Sequence, residues 1–213
     1  MRNLKRTLSL ALASVMLVGM MSVGASAVNA SDFTDADEIV NKDAVSTMTA
    51  LGIINGKEDG SYFDPTGNVT RAEMAKMLCV AINGGVDPVL GVKDTPTFTD
   101  IKGTWAESYI EYCAANGIIA GRGNNKFDPT GTVSATEAAK MLLGVLVYNA
   151  EKSGLVGNDW AINTNVLANQ NGLYKNLANL NANTLLTRDN AAQMIYNALD
   201  ANMVELNAAG NYT

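Results

Sequence analysis

The chain has 213 residues, with 15 Lys and Arg against 21 Asp and Glu and no histidine. The acidic balance argues against nucleic acid and against an anionic membrane surface as partners. The absence of histidine removes Ser-His-Asp and Cys-His catalysis and any histidine-based metal site.

Residues 1–27 read as a secretory signal. Arg2, Lys5 and Arg6 form a positive start, Leu8 to Val18 is mostly apolar, and Ala25-Ser26-Ala27 fits a small-residue cleavage site. Cleavage is expected to leave Val28, or Ser31 by the alternative Val28-Asn29-Ala30 site, as the first residue. The apolar run is short for a membrane span, so the mature chain is expected to be exported, with no membrane partner. Losing the signal removes three cations and no acid, leaving 12 cations against 21 acids, a net −9.

Phe33-Thr34-Asp35 opens the mature chain. Ile39, Val40, Ala44, Val45, Met48 and Leu51 then form an apolar stripe at roughly helical spacing. Gly52 suits the left-handed position that ends a helix. Asp64-Pro65-Thr66-Gly67 fits a type I turn. Thr70-Arg71-Ala72-Glu73 starts a second helix with a capping box, and Met74, Ala75, Leu78 and Ile82 are its candidate core. Arg71 is unusual there, because a helix N-terminus already carries partial positive charge. Free N–H groups and a guanidinium together suit an anion, so Arg71 is expected to be exposed and to hold one.

The whole pattern recurs. Phe98-Thr99-Asp100 repeats Phe33-Thr34-Asp35, and Gly117-Ile118-Ile119-Ala120-Gly121 repeats Gly52-Ile53-Ile54-Asn55-Gly56. Phe127-Asp128-Pro129-Thr130-Gly131 repeats the turn, and Ala139-Lys140-Met141-Leu142 repeats Ala75-Lys76-Met77-Leu78. The offset is 65, falling to 64 before Phe127. A weaker third copy holds Trp160, 12 residues before Gly172 as Trp105 is before Gly117, and then Thr187-Arg188-Asp189-Asn190. Each copy reads as helix, loop, helix. A pair this short cannot bury its own apolar face, which predicts one all-α domain with a shared core.

These motifs resemble the S-layer homology (SLH) family. The resemblance covers about residues 31–206 and sets the expected boundaries: repeats at 28–92, 93–153 and 154–206, the third degenerate, and a tail at 207–213. It implies three helix-loop-helix repeats packed as a pseudo-threefold unit. It also implies a module that anchors exported proteins to the bacterial cell wall by binding a secondary cell-wall polysaccharide, often pyruvylated. The implied polysaccharide-binding residues are Arg71, Arg188, Trp105, Trp160, Asp35, Asp100, Gly52 and Gly117. Val40 stands where the family has its first-helix tryptophan and Ala135 where it has its arginine. A pyruvate ketal presents a carboxylate that an arginine can hold, and a tryptophan face suits a sugar ring. The plainer readings are core packing for the tryptophans, capping or a turn for the aspartates, and backbone conformation for the glycines.

No catalytic residue, metal or cofactor is expected. Lys57-Glu58-Asp59-Gly60 lacks the alternating oxygen ligands of a calcium loop, and Gly121-Arg122-Gly123 belongs to the repeat's turn. Cys79 and Cys113 sit in apolar helical contexts, as free core thiols or as a disulfide between copies. Three functional readings stand: a free-standing wall anchor, the anchor of an exported wall- or polysaccharide-active enzyme whose catalytic region lies outside this chain, and a self-associating surface-lattice protein.

Overall fold

The computed structural model describes residues 28–177, 180–181, 183–207, 209 and 211–213. The signal-peptide expectation falls outside the described residues. Among these residues six α-helices follow in order: α1 Lys42–Ala50, α2 Arg71–Ile82, α3 Glu107–Ala115, α4 Ala135–Val145, α5 Trp160–Gln170 and α6 Arg188–Asp200. Short 3-10 turns, Ala30–Asp32 and Ala36–Glu38, precede α1. Among the described residues there is no sheet, only isolated bridges. The fold is all-α.

The second helix of each pair is the inner one. α2 buries Ala72, Met74, Ala75, Met77, Leu78, Cys79, Val80 and Ile82, an apolar surface nearly all round. Such a helix belongs inside a core. α4 buries Ala138, Ala139, Met141, Leu142, Leu143 and Val145, and α6 buries Ala191, Ala192, Met194, Ile195 and Ala198. The first helices lie outside: α3 packs on α2, α5 on α4 and α1 on α6. α1 therefore closes against the last helix of the chain, so the third pair bridges back to the first.

Helix ends follow local chemistry. Thr70 and Ser134 accept from the N–H groups of Glu73 and Glu137, whose carboxylates reach back to the cap amides. Thr187 accepts from the N–H of Asn190 alone. Gly52, with φ +70°, closes α1: its N–H donates to Thr49 O and that of Ile53 to Met48 O. Gly117 closes α3 in the same way, through Ala114 O and Cys113 O. The starts of α1 and α3 differ from the sequence reading. Val40 and Trp105 precede their helices, and Val40 is 83% exposed, off the apolar stripe.

Three backbone segments meet at the centre. The N–H of Val69 donates to Leu186 O, that of Leu186 to Val133 O and that of Val133 to Val69 O, each at 2.9–3.0 Å. All three side chains are fully buried. This closed cycle gives the pseudo-threefold arrangement a hydrogen-bonded axis. A second cycle surrounds it: Arg71 N–H to Gly131 O, Ala135 N–H to Thr184 O, and Arg188 N–H to Gly67 O.

α5 is the least buried helix, with only Thr164 and Ala168 inside. Thr164 Oγ1 is buried without a hydrogen-bond partner among the described residues. Replacing an unsatisfied hydroxyl by an apolar group of like shape removes a desolvation cost of about 1–3 kcal/mol. Thr164→Val is therefore expected to raise the melting temperature by a few degrees in a thermal scan, and a fall would show a hidden partner.

Candidate functional site: the groove between α4 and α5

Arg71 and Arg188 do stand at helix starts after threonine caps, but they are not exposed. Arg71 is 3% exposed and Arg188 is 5%. The Arg71 guanidinium turns away from its own helix and donates to Phe127 O at 2.8 Å and Ala120 O at 2.7 Å. It lies 4.3 Å from the Phe127 ring centroid, and Nη1 is 3.3 Å from Glu137 Oε1. Arg188 repeats this on the first copy, donating to Phe63 O and Asn55 O over the Phe63 ring. The charge is matched by carbonyl oxygens and an aromatic face of the next repeat. An anion is not needed to satisfy it, which corrects the sequence argument.

Asp35 and Asp100 are turn-builders. Asp35 accepts from the N–H groups of Phe63 and Asp64, and Asp100 from those of Phe127 and Asp128. Burial pushes the Asp100 carboxyl up, but the two amides outweigh it and hold it below the usual range. Asp64 and Asp128 themselves have φ +62° and +63°, a left-handed conformation that Asp tolerates better than most residues. The predicted i to i+3 turn bond forms, from Gly67 N–H to Asp64 O. Gly52 is a backbone device: a Cβ there would meet Gly85 O at 2.8 Å. A Cβ at Gly117 would find open space, so only its positive φ calls for glycine.

The tryptophans are not core. Trp105 is 60% exposed, and Trp160, the first residue of α5, is half-buried. Trp160 forms one side of a groove of about 620 Å³ between α4 and α5. Arg71, Gly121, Arg122, Glu137, Lys140 and Val156 also line it. Lys140 Nζ sits 5.1 Å over the Trp160 ring. Burial, and then the Arg71 charge, push the Lys140 ammonium below the usual lysine range, with Glu137 opposing them. Among the described residues Lys140 has no ion pair. Arg122, by contrast, is clamped by Glu137 and Asp128. Burial also pushes Arg71 down, to about 10, so it stays charged near neutrality.

The groove between α2 and α3 has the same parts in altered form. Lys76 Nζ lies 5.4 Å over Tyr109, whose ring is 6.3 Å from Trp105, but Asp87 pairs with Lys76 at 3.0 Å. Between α6 and α1 the equivalent positions hold Gln193, Val40 and Ala135, so the lysine, tryptophan and arginine are all replaced. The structure thus brings Arg71 and Trp160 into one groove and leaves Trp105 in another. It places Asp35, Asp100, Gly52 and Gly117 in the frame that shapes the turns. Sequence reasoning missed Lys140, Lys76, Arg122 and Glu137. Lys76 and Lys140 were visible as the polar member of the repeated Ala-Lys-Met-Leu, a lone cation inside an otherwise apolar helical run.

The S-layer homology domain matches residues 32–75 and 97–139. The chain carries S-layer homology repeats. Each matched segment runs from the aspartate-bearing start (Asp35 or Asp100) through α1 or α3 and the turn to the first residues of α2 or α4. Helices α5 and α6 follow the matched segments, and Thr187 caps α6 as Thr70 caps α2. The chain is 28% identical to a cell surface protein of Thermoanaerobacter kivui over 96% of this chain and 26% of that protein. It is 32% identical to an S-layer protein of Bacillus licheniformis over 52% of this chain and 12% of that protein. It is 29% identical to exoglucanase XynX of Acetivibrio thermocellus over 68% of this chain and 14% of that protein. The chain therefore spans about a quarter or less of these relatives. Among the described residues no helix is long and apolar enough to cross a membrane.

Proposed function

We propose that this chain is a non-covalent cell-wall anchor that resides at the bacterial surface and holds an acidic secondary wall polysaccharide in the α4–α5 groove. The observation that carries this reading is Lys140, a half-buried cation without an ion-pair partner among the described residues, held over Trp160 beside Arg71. A desolvated cation favours an anion, and the tryptophan face favours the apolar face of a sugar. A carboxylate-bearing glycan, such as one with a pyruvate ketal, offers both. The α2–α3 groove is the weaker copy, because Asp87 already occupies Lys76. The α6–α1 face, where Gln193, Val40 and Ala135 stand in place of the lysine, tryptophan and arginine, contributes least. The anchoring module itself is not an enzyme.

Co-sedimentation with purified walls, before and after extraction of the non-peptidoglycan polymer, tests the reading. Binding should vanish with the polymer. A hydrogen bond to a charged group contributes about 1.5–3 kcal/mol, so Lys140→Ala is expected to weaken binding roughly tenfold to a hundredfold. Trp160→Ala is expected to do so roughly tenfold. Neither should shift the melt much, since both side chains are partly exposed. Only protonated Lys140 holds the anion. Binding should therefore fall as pH rises through a lysine pKa lower than usual, and recover on acidification. Unchanged affinity in the double variant would overturn the assignment of the groove.

A second reading concerns cargo. Relatives named as an exoglucanase and as an endo-1,4-beta-xylanase share this region over 14% and 12% of their lengths. That favours an anchor carried by an exported polysaccharide-active enzyme. Sequencing the reading frame beyond Thr213 tests it. Relatives named as S-layer proteins favour self-association into a lattice, which light scattering of the purified chain without wall material would reveal.

A further inference from the structure

We infer that Cys79 and Cys113 form an intramolecular disulfide, a covalent link between the first two repeats that an oxidising compartment closes. The two thiols stand 3.3 Å apart, Sγ to Sγ, where α2 and α3 pack together. Their surroundings are reciprocal. Cys79 Sγ donates to Tyr109 O, four residues before Cys113, at 3.5 Å. Cys113 Sγ donates to Ala75 O, four residues before Cys79, at 3.6 Å. Both side chains are buried, and no other cysteine exists in the chain to compete. A disulfide needs about 2.05 Å between sulfurs, so the pair must close by little more than an ångström. Two neighbouring helices can absorb that by small χ1 changes.

The oxidant is an external disulfide, small-molecule or protein. One cysteine thiolate attacks it, forming a mixed disulfide and releasing one external thiolate. The second cysteine thiolate then attacks the protein sulfur of that mixed disulfide and releases the other. One S–S bond forms as one breaks. The two cysteines lose two electrons and two protons, and the external disulfide gains them as two thiols. Because both thiols are buried, and Cys113 is held protonated by its contact with Cys79 and by burial, the first attack takes place while α2 and α3 are still apart. The link then fixes Lys76 and Tyr109, which lie on the same two helices.

The chain can be unfolded in guanidinium with reductant and refolded in a mixture of oxidised and reduced glutathione. The expected product has no thiol titratable in guanidinium, a mass lower by about 2 Da, and one proteolytic peptide pair joined through Cys79 and Cys113. Adding reductant should lower its melting temperature by roughly 10 °C, from the loss of a 34-residue cross-link. Cys113→Ala should melt identically with and without reductant. Two free thiols after refolding, or two glutathione adducts with no cross-link, would overturn the inference.

Discussion

A chain ending at Ala150 is expected not to fold. No pair can bury its apolar face alone, and each lost contact leaves buried groups without a partner. Without α6, α1 and α4 lose a packing partner, and α4 also loses α5. Leu142, Leu143 and Leu146, all 1% exposed or less, belong to α4 and its C-cap, the element that loses both partners. Exposing each costs about 1.5–3 kcal/mol. The central cycle opens as well: Val69 N–H, Val133 O and Ala135 N–H lose Leu186 and Thr184. Arg188 is removed from Phe63 O and Asn55 O. Even three leucines approach the total stability of a typical domain, about 5–15 kcal/mol. Circular dichroism of the truncated chain should show little helix and no cooperative melt. A cooperative transition at the full chain's temperature would show that the first two repeats are independent.

What the sequence makes legible is local. The Thr70 and Ser134 caps, the Gly52 and Gly117 helix ends and the Asp64–Gly67 turn each depend on residues within five positions. Their chemistry is therefore visible in order along the chain. The repeats then fix the fold class, because three helix pairs need a common core. What stays hidden is non-local. The partners of Arg71 lie 49 and 56 residues away at Ala120 and Phe127, on the next repeat. Nothing near Thr70 distinguishes an arginine aimed at solvent from one aimed at carbonyls. The Val69–Val133–Leu186 cycle is backbone chemistry, and three buried apolar side chains give no sign of it. Val40 and Trp105 fall just before their helices because α1 and α3 start without a side-chain cap to mark the boundary. Lys140 was in view, but its meaning depends on Trp160 arriving from the next repeat.

Arg71→Ala is expected to destabilise the protein strongly, in contrast to the small cost that an exposed side chain would give. Its guanidinium satisfies Phe127 O and Ala120 O and approaches Glu137, at 3% exposure. Truncation leaves those carbonyls without donors and strips the Phe127 ring of its stacked cation. Removing one partner from a buried charged network costs about 3–5 kcal/mol. In a chain of this size that is a fall of roughly 10 °C in melting temperature. Arg71→Lys should recover less than half, because one ammonium cannot span two carbonyls as the planar fork does. Arg188→Ala should cost a similar amount through Phe63 O and Asn55 O. The two losses should add, because the arginines serve different repeats. Ala120 and Phe127 shape the turn beside the α4–α5 groove, so Arg71→Ala should also weaken wall binding, but in step with the melt. Lys140→Ala supplies the contrast, weakening binding while the melt stays in place. Thermal scans and wall-binding isotherms on the same samples separate the two roles. An Arg71→Ala chain that melts with the wild type and still loses binding would return the arginine to the ligand.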